Sequence, residues 1–107
     1  MLRALARYIP ASFGNALSAT PPDPPIDVEL AQRQHLRYMR ALAECGVAVT
    51  TLPADEACPD CVFVEDTAVV IGRTAVVTRP GAPSRRAETH AIAVALLVVL
   101  LSRRHGA

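Results

Sequence analysis

Residues 27–46 carry the start and stop signals of a single helix, and this segment constrains the fold more than any other part of the sequence. Asp27 belongs to the residue types that cap helix N-termini, and Gly46 to those that follow helix C-termini. Between them, steps of three and four residues predict one buried stripe: Ala31, His35, Tyr38, Leu42 and Cys45. Another face of the helix carries basic residues and is expected to be solvated: Arg33, Arg37 and Arg40.

Short apolar runs on both sides of this helix predict strands. The run over residues 2–9 ends at Pro10 and is followed by a proline-rich segment, 20–25, that cannot form regular structure. The run over residues 47–52 follows the helix and predicts a second strand. Helices that alternate with strands are typical of α/β proteins, so this fold class is expected.

The second half of the chain predicts a β-hairpin and then a second helix. Runs rich in valine predict strands: residues 62–64, 68–71 and 74–78. Gly72 and Arg73 are suited to a tight turn between the last two of these strands. The second helix is expected over residues 85–102, with Ser84 as its N-terminal cap.

Composition excludes several classes of function. A net charge of +1 gives no reason to expect nucleic acid or a membrane surface as a partner. The longest apolar run, residues 91–101, is shorter than the roughly 20 residues that span a bilayer. The N-terminus lacks the apolar run of a secretory signal, so a cytoplasmic location with reduced cysteines is expected.

Cys58 and Cys61 form a Cys-x-x-Cys motif, which raises the alternative of a small metal or redox protein. A structural zinc site needs four ligands, and no second pair in the sequence has ligand spacing. A thioredoxin-like motif opens a helix, whereas a strand is predicted after Cys61. Buried or incidental thiols are therefore favoured, and no metal or cofactor is predicted.

Two adjacent carboxylates, Glu65 and Asp66, follow a short apolar run, and Asp60 stands before that run. Neighbouring residues on a strand point to opposite faces, so one of the two carboxylates would be buried and would need a partner. A guanidinium pairs with carboxylates in a planar fork, and either an arginine of this chain or a ligand would supply it. Arg85, at the predicted helix start, is opposed by the helix dipole, and such a placement indicates a residue kept to bind an anion.

Three sequence blocks, in this order and with this spacing, resemble the dimethylarginine dimethylaminohydrolase family: residues 52–56, 59–66 and 78–86. Upstream, residues 33–35 and 12–17 are similar to the family's first helix and its mobile lid. The resemblance makes residues 1–97 the N-terminal part of such a domain and leaves residues 98–107 as a divergent tail.

The resemblance implies a partial five-bladed α/β propeller, the pentein fold, with about two blades present. In this family a cysteine attacks the guanidinium carbon of an Nω-methylated arginine, a methylamine leaves, and water releases citrulline. A histidine handles the protons, and no metal or cofactor is required. The family's cysteine and histidine have no counterpart among these residues, so no catalytic residue is predicted, and the chain is expected to be inactive alone.

The resemblance also assigns six substrate-binding residues: Leu17, Asp60, Phe63, Glu65, Asp66 and Arg85. The two adjacent acids would grip the guanidinium, the aspartate before them would hold the amino group, and the arginine would face the α-carboxylate. The phenylalanine would line the pocket, and the leucine would lie on the lid.

An alternative is a structural or interaction module that pairs with another propeller piece. A partial propeller leaves sheet edges exposed, which would lower its stability and allow self-association. Arginine deiminases share the mechanism, but the blocks at 59–66 and 80–86 favour a methylarginine hydrolase. The expected small-molecule partner is a methylated arginine or a related guanidine.

Overall fold

The computed structural model describes residues 2–105, with side chains up to residue 101. The chain divides into two compact units: unit 1, Met1–Val62, and unit 2, Phe63–Ala107. The predicted order of strand, helix, strand, hairpin and helix is confirmed.

Unit 1 is a strand–helix–strand motif. Strand β1 (Arg3–Arg7) pairs in parallel with strand β2 (Ala48–Leu52), in a register that runs from Arg3 opposite Ala48 to Arg7 opposite Leu52. Parallel strands cannot be joined by a tight turn, and helix α1 (Val28–Glu44) lies in the connection between them. A 3₁₀ turn, Ala11–Asn15, lies between β1 and α1.

Both ends of α1 follow the sequence signals. The Asp27 carboxylate accepts a hydrogen bond from the Leu30 N–H at 3.0 Å, which satisfies one of the amide groups left unpaired at a helix N-terminus. At the other end, Gly46 has a φ of +86° and donates its N–H to the Ala43 carbonyl at 3.0 Å. Side chains disfavour this left-handed conformation, so the glycine lets the chain leave the helix and turn into β2.

The predicted buried stripe of α1 is wrong at two positions. Tyr38 is 59% exposed and Cys45 is also exposed, whereas Met39, outside the predicted stripe, is 8% exposed. Met39 lies one helical turn from His35, on the face of α1 that packs inward. The Tyr38 ring stacks on the His35 ring, with ring centroids 6.1 Å apart. The arginine face is exposed as predicted: Arg33, Arg37 and Arg40.

The two cysteines of the Cys-x-x-Cys motif are buried in unit 1. Cys58 and Cys61 are 2% and 1% exposed, and the Asp55 N–H lies 3.5 Å from the Cys61 sulfur. Among the side chains of residues 2–101, no group of three or more histidine, cysteine or acidic residues is arranged to hold a metal ion.

Unit 2 contains the predicted hairpin. Strand β3 (Ala68–Ile71) pairs antiparallel with strand β4 (Thr74–Val77), and Gly72 adopts a φ of +59° in the turn. Large apolar side chains on this hairpin are 44% to 74% exposed: Val69, Val70, Ile71, Val76 and Val77. None of the helices within residues 2–105 is long and apolar enough to cross a membrane.

The strand predicted at residues 62–64 is wrong. The chain forms a 3₁₀ turn there, Val64–Asp66, and Thr67 closes it with two bonds to the Val64 carbonyl, from its N–H at 3.0 Å and its hydroxyl at 2.6 Å. A threonine hydroxyl that bonds to nearby backbone competes with strand pairing. Thr67 is fully buried, so this local arrangement is fixed by packing.

The second predicted helix begins differently from the prediction. A 3₁₀ segment, Pro83–Glu88, precedes helix α2 (Thr89–His105), and no side chain caps the segment. Ser84 lies inside the 3₁₀ segment, so its predicted capping role is wrong. Arg85 therefore lies in a 3₁₀ segment and not, as predicted, at the N-terminus of an α-helix.

Candidate functional site

Arg85 and Glu88 form a buried ionic pair in unit 2. Arg85 Nε donates to Glu88 Oε2 at 3.1 Å, and one terminal guanidinium nitrogen donates to Oε1 at 2.8 Å, so that two donors face two oxygens. The side chain of Arg85 is 10% exposed and that of Glu88 is 1% exposed. Glu88 raises the pKa of Arg85 above its ordinary value, with Asp66 adding to the rise and burial opposing it.

The 3₁₀ segment explains why this arginine is the buried one. Side chains three residues apart in a 3₁₀ helix lie above one another, which places Arg85 and Glu88 on one side of the segment. The neighbouring Arg86 is exposed, and it donates to the carbonyls of Pro80 and Gly81 at 3.0 and 3.4 Å. Consecutive arginines thus have different roles.

The same guanidinium reaches the turn that carries the predicted guanidine-binding acids. Arg85 donates to Asp66 Oδ2 at 2.7 Å and to the Phe63 carbonyl at 2.9 Å. The sequence had left open whether an arginine of this chain or a ligand would pair with the acids, and for Asp66 an arginine of this chain does. Arg85 therefore fixes both ends of the Phe63–Asp66 segment.

The predicted burial of one of the adjacent acids is wrong. Glu65 and Asp66 are both exposed, because they lie in a 3₁₀ turn and not in a strand. The Asp66 side chain remains 58% exposed while it contacts Arg85. Two carboxylates, Glu88 and Asp66, thus contact one guanidinium, and Asp66 is the exposed one of the two. Phe63, 38% exposed, adds an aromatic surface to the same turn.

In unit 1, two carboxylates hold the segment 11–17 by its backbone. Asp60 is buried, and its two oxygens accept the Leu17 N–H at 3.1 and 3.2 Å. Glu56 accepts the N–H groups of Ala11 and Ser12 at 3.0 and 2.9 Å, which are amides left unpaired at the start of the 3₁₀ turn. The Leu17 side chain itself is exposed.

The structure thus brings the predicted residues together in two groups, one in each unit. In unit 1, the Leu17 N–H donates to the Asp60 carboxylate. In unit 2, Arg85 contacts both Asp66 and the Phe63 carbonyl. Glu65 lies in the same turn as Asp66. The roles of all six towards a substrate stay predictions.

Two residues of these groups were missed by the sequence analysis. Glu88 stands three residues after Arg85, a spacing that would have suggested the pair if a 3₁₀ segment had been expected. Glu56 lies 44 residues along the chain from Ser12, and no local pattern links them.

Replacing Glu56 with alanine is expected to loosen the segment 11–17. The loss of both acceptors should cost about 1 kcal/mol, in the range of a lost helix cap, and so speed amide exchange of Ala11 and Ser12 about fivefold. Amide hydrogen exchange measured by NMR would test this, with Glu44→Ala, a change at an exposed residue of α1, as the control. Unchanged exchange at Ala11 and Ser12 would show that Glu56 does not hold the segment.

Comparison with known proteins identifies the relatives of this chain, although no family model matches it. It is 53% identical over 66 residues to N(G),N(G)-dimethylarginine dimethylaminohydrolase of Pseudomonas aeruginosa, which covers 62% of this chain and 26% of the relative. It is 51% identical over 65 residues to the protein of the same name from Streptomyces coelicolor, which covers 60% of this chain and 25% of the relative.

Solved structures give the same result. A mutant of the Pseudomonas aeruginosa enzyme complexed with citrulline matches with a TM-score of 0.83 and 41% identity, over 90% of this chain and 38% of that one. A dimethylarginine dimethylaminohydrolase adduct with S-methyl-L-thiocitrulline matches with a TM-score of 0.80 and 41% identity, at the same coverage. The chain spans about a quarter of the length of the two sequence relatives. In sequence and in structure, this chain is a homologue of part of a dimethylarginine dimethylaminohydrolase.

Proposed function

We propose that this chain is the guanidine-binding part of a hydrolase that converts Nω-methylated arginines to citrulline and methylamines. The observation that carries the proposal is the exposed Asp66 carboxylate, which is fixed in place by Arg85 while Arg85 also pairs with the buried Glu88. The similarity to structures that hold citrulline and S-methyl-L-thiocitrulline supports the same substrate class.

The turn 63–66 has the groups that such a substrate requires. A guanidinium is a planar cation with several N–H donors, and carboxylates bind it with charge-assisted hydrogen bonds. Asp66 and Glu65 provide two exposed carboxylates in one turn, and the Phe63 ring provides a surface for an aliphatic chain or for methyl groups. In unit 1, Asp60 remains the proposed partner of the substrate's amino group, and Leu17 is proposed to belong to a lid.

The chemical step is proposed to need a nucleophile that this chain does not supply. Cys58 and Cys61 are almost fully buried, and Cys45 lies at the C-terminal cap of α1. A nucleophilic cysteine must reach the guanidinium carbon, and thiols as deeply buried as those of Cys58 and Cys61 are inaccessible to a ligand. The proposal is therefore that the chain binds guanidines without hydrolysing them. We also propose that the chain forms about two blades of a five-bladed α/β propeller.

Ligand binding by the 107-residue chain tests the proposal. Titration with Nω,Nω-dimethylarginine, followed by NMR, is expected to shift the amide signals of residues 63–66, while a citrulline assay shows no product. Lysine is the matched control, because it has the same amino-acid end and a positive charge but no guanidinium. Shifts of the same size with lysine, or none with dimethylarginine at millimolar concentration, would refute guanidine binding. Formation of citrulline would refute the inactivity of the chain alone.

A further inference from the structure

Arg85 contacts Asp66 at the carboxylate that is proposed to bind the substrate. The two atoms, a terminal guanidinium nitrogen and Asp66 Oδ2, are 2.7 Å apart. A guanidinium at this distance, acting alone, would neutralise the aspartate, and a neutral ion pair attracts a second guanidinium much less than a carboxylate does. Cation binding at Asp66 therefore requires that the charge of Arg85 be compensated elsewhere.

Glu88 is placed to supply that compensation. It takes two of the Arg85 contacts, from Nε at 3.1 Å and from a terminal nitrogen at 2.8 Å, and it is almost inaccessible to solvent. Charges buried together are screened less than exposed ones, so the Arg85–Glu88 pair is stronger than the contact of Arg85 with the exposed Asp66. Asp66, which is more than half exposed, is the member of the group that a ligand can reach.

We infer that Glu88 is a positioning residue for guanidine binding: it balances the charge of Arg85, so that Arg85 holds Asp66 in place without cancelling its charge. The inference rests on the proposed function. It predicts that Glu88 controls the preference for a cationic over a neutral ligand, although it does not itself contact the ligand.

A purely structural role for Glu88 would give a different result. Disorder of the turn would weaken cationic and neutral ligands alike, because both lose the same contacts. Loss of charge balance weakens the cation selectively. The informative quantity is therefore the dissociation constant of citrulline divided by that of Nω-methylarginine. Citrulline has a neutral urea where methylarginine has a charged guanidinium.

This ratio is to be measured by titration calorimetry or NMR on the 107-residue chain and three variants. Glu88→Gln keeps the shape of the side chain and removes its charge, and it is expected to lower the ratio about tenfold. The double variant Arg85→Gln/Glu88→Gln removes one charge of each sign and is expected to restore the wild-type ratio, while both ligands bind more weakly because Arg85 no longer holds Asp66. Glu44→Gln removes an exposed carboxylate of α1 and is expected to leave the ratio unchanged.

The outcomes separate this inference from the proposed function. The inference is overturned if the wild-type chain prefers methylarginine and the Glu88→Gln variant has the same ratio of dissociation constants. The proposed function would be unaffected by that result. Equal weakening of both ligands also overturns the inference. If Glu88→Gln does not fold, the double variant decides: a retained preference supports charge balance, and a lost preference overturns it. A wild-type chain that binds neither ligand contradicts both the proposed function and the inference.

Discussion

Replacing Arg85 with methionine is expected to destabilise unit 2 by about 3–5 kcal/mol. The change leaves Glu88, 1% exposed, as a buried carboxylate without its guanidinium. It also removes the donors to the Phe63 carbonyl and to Asp66, so the turn 63–66 loses its attachment. Removing one partner of a buried ion pair lowers the free energy of unfolding by more than the intact pair contributes to it. The remaining charge is buried without hydration and without an oppositely charged partner.

Amide hydrogen exchange in unit 2 measures this loss. The informative signals are those of Thr67, bonded to the Val64 carbonyl at 3.0 Å, and Thr78, bonded to the Thr67 carbonyl at 2.9 Å. A destabilisation of this size would speed their exchange by at least about a hundredfold if they open with the whole unit. Urea unfolding followed by circular dichroism gives an independent value.

Two variants act as controls for this prediction. Arg86→Met changes the exposed neighbour, whose two bonds go to loop carbonyls, and is expected to cost about 1 kcal/mol or less. The double variant Arg85→Met/Glu88→Met removes both charges and is expected to recover most of the loss, since an apolar pair replaces a buried ionic one at little cost. An Arg85→Met variant as stable as Arg86→Met would show that the buried pair does not hold the unit together.

Replacing Asp66 with asparagine is expected to weaken binding of Nω-methylarginine by about 1.5–3 kcal/mol, or roughly 10- to 150-fold. Asparagine keeps the size of the side chain and an oxygen that can accept from Arg85. It removes the negative charge that the ligand guanidinium is proposed to meet. The buried pair of Arg85 and Glu88 remains, with one charge of each sign.

Titration calorimetry with Nω-methylarginine and with citrulline tests this second prediction. Citrulline has no positive charge and should lose less affinity than methylarginine does. Asp23→Asn, the same substitution in the exposed proline-rich loop, is the matched control and should bind both ligands as the wild type does. Unaltered affinity of Asp66→Asn for methylarginine would remove Asp66 from the proposed site, whatever the effect of Glu88.

Local sequence signals predicted the structure correctly where it is stabilised by contacts between residues close together in the chain. Asp27 and Gly46 delimit α1 because a cap bond and a left-handed turn involve only residues within one helical turn. Gly72 marks the hairpin for the same reason. The resemblance to dimethylarginine dimethylaminohydrolase was likewise visible in the sequence alone, and the relatives confirm it.

Local signals failed where distant contacts decide the conformation. Valine-rich residues 62–64 have high strand propensity, yet no strand forms, because Thr67 closes a 3₁₀ turn and Arg85 bonds the Phe63 carbonyl. The buried stripe of α1 was misplaced at Tyr38, since periodicity alone could not show that Met39 packs inward.

The order of the helices, of the strands around α1 and of the hairpin could be predicted from the sequence, as could both caps of α1. How the charges of the acids at 65 and 66 are balanced depends on tertiary contacts. Asp66 and Arg85 are 19 residues apart, and their meeting depends on the 3₁₀ segment that also stacks Glu88 on Arg85. Charge interactions depend on distance and burial in three dimensions, so a sequence can show which charges are present but not which of them remains available to a ligand.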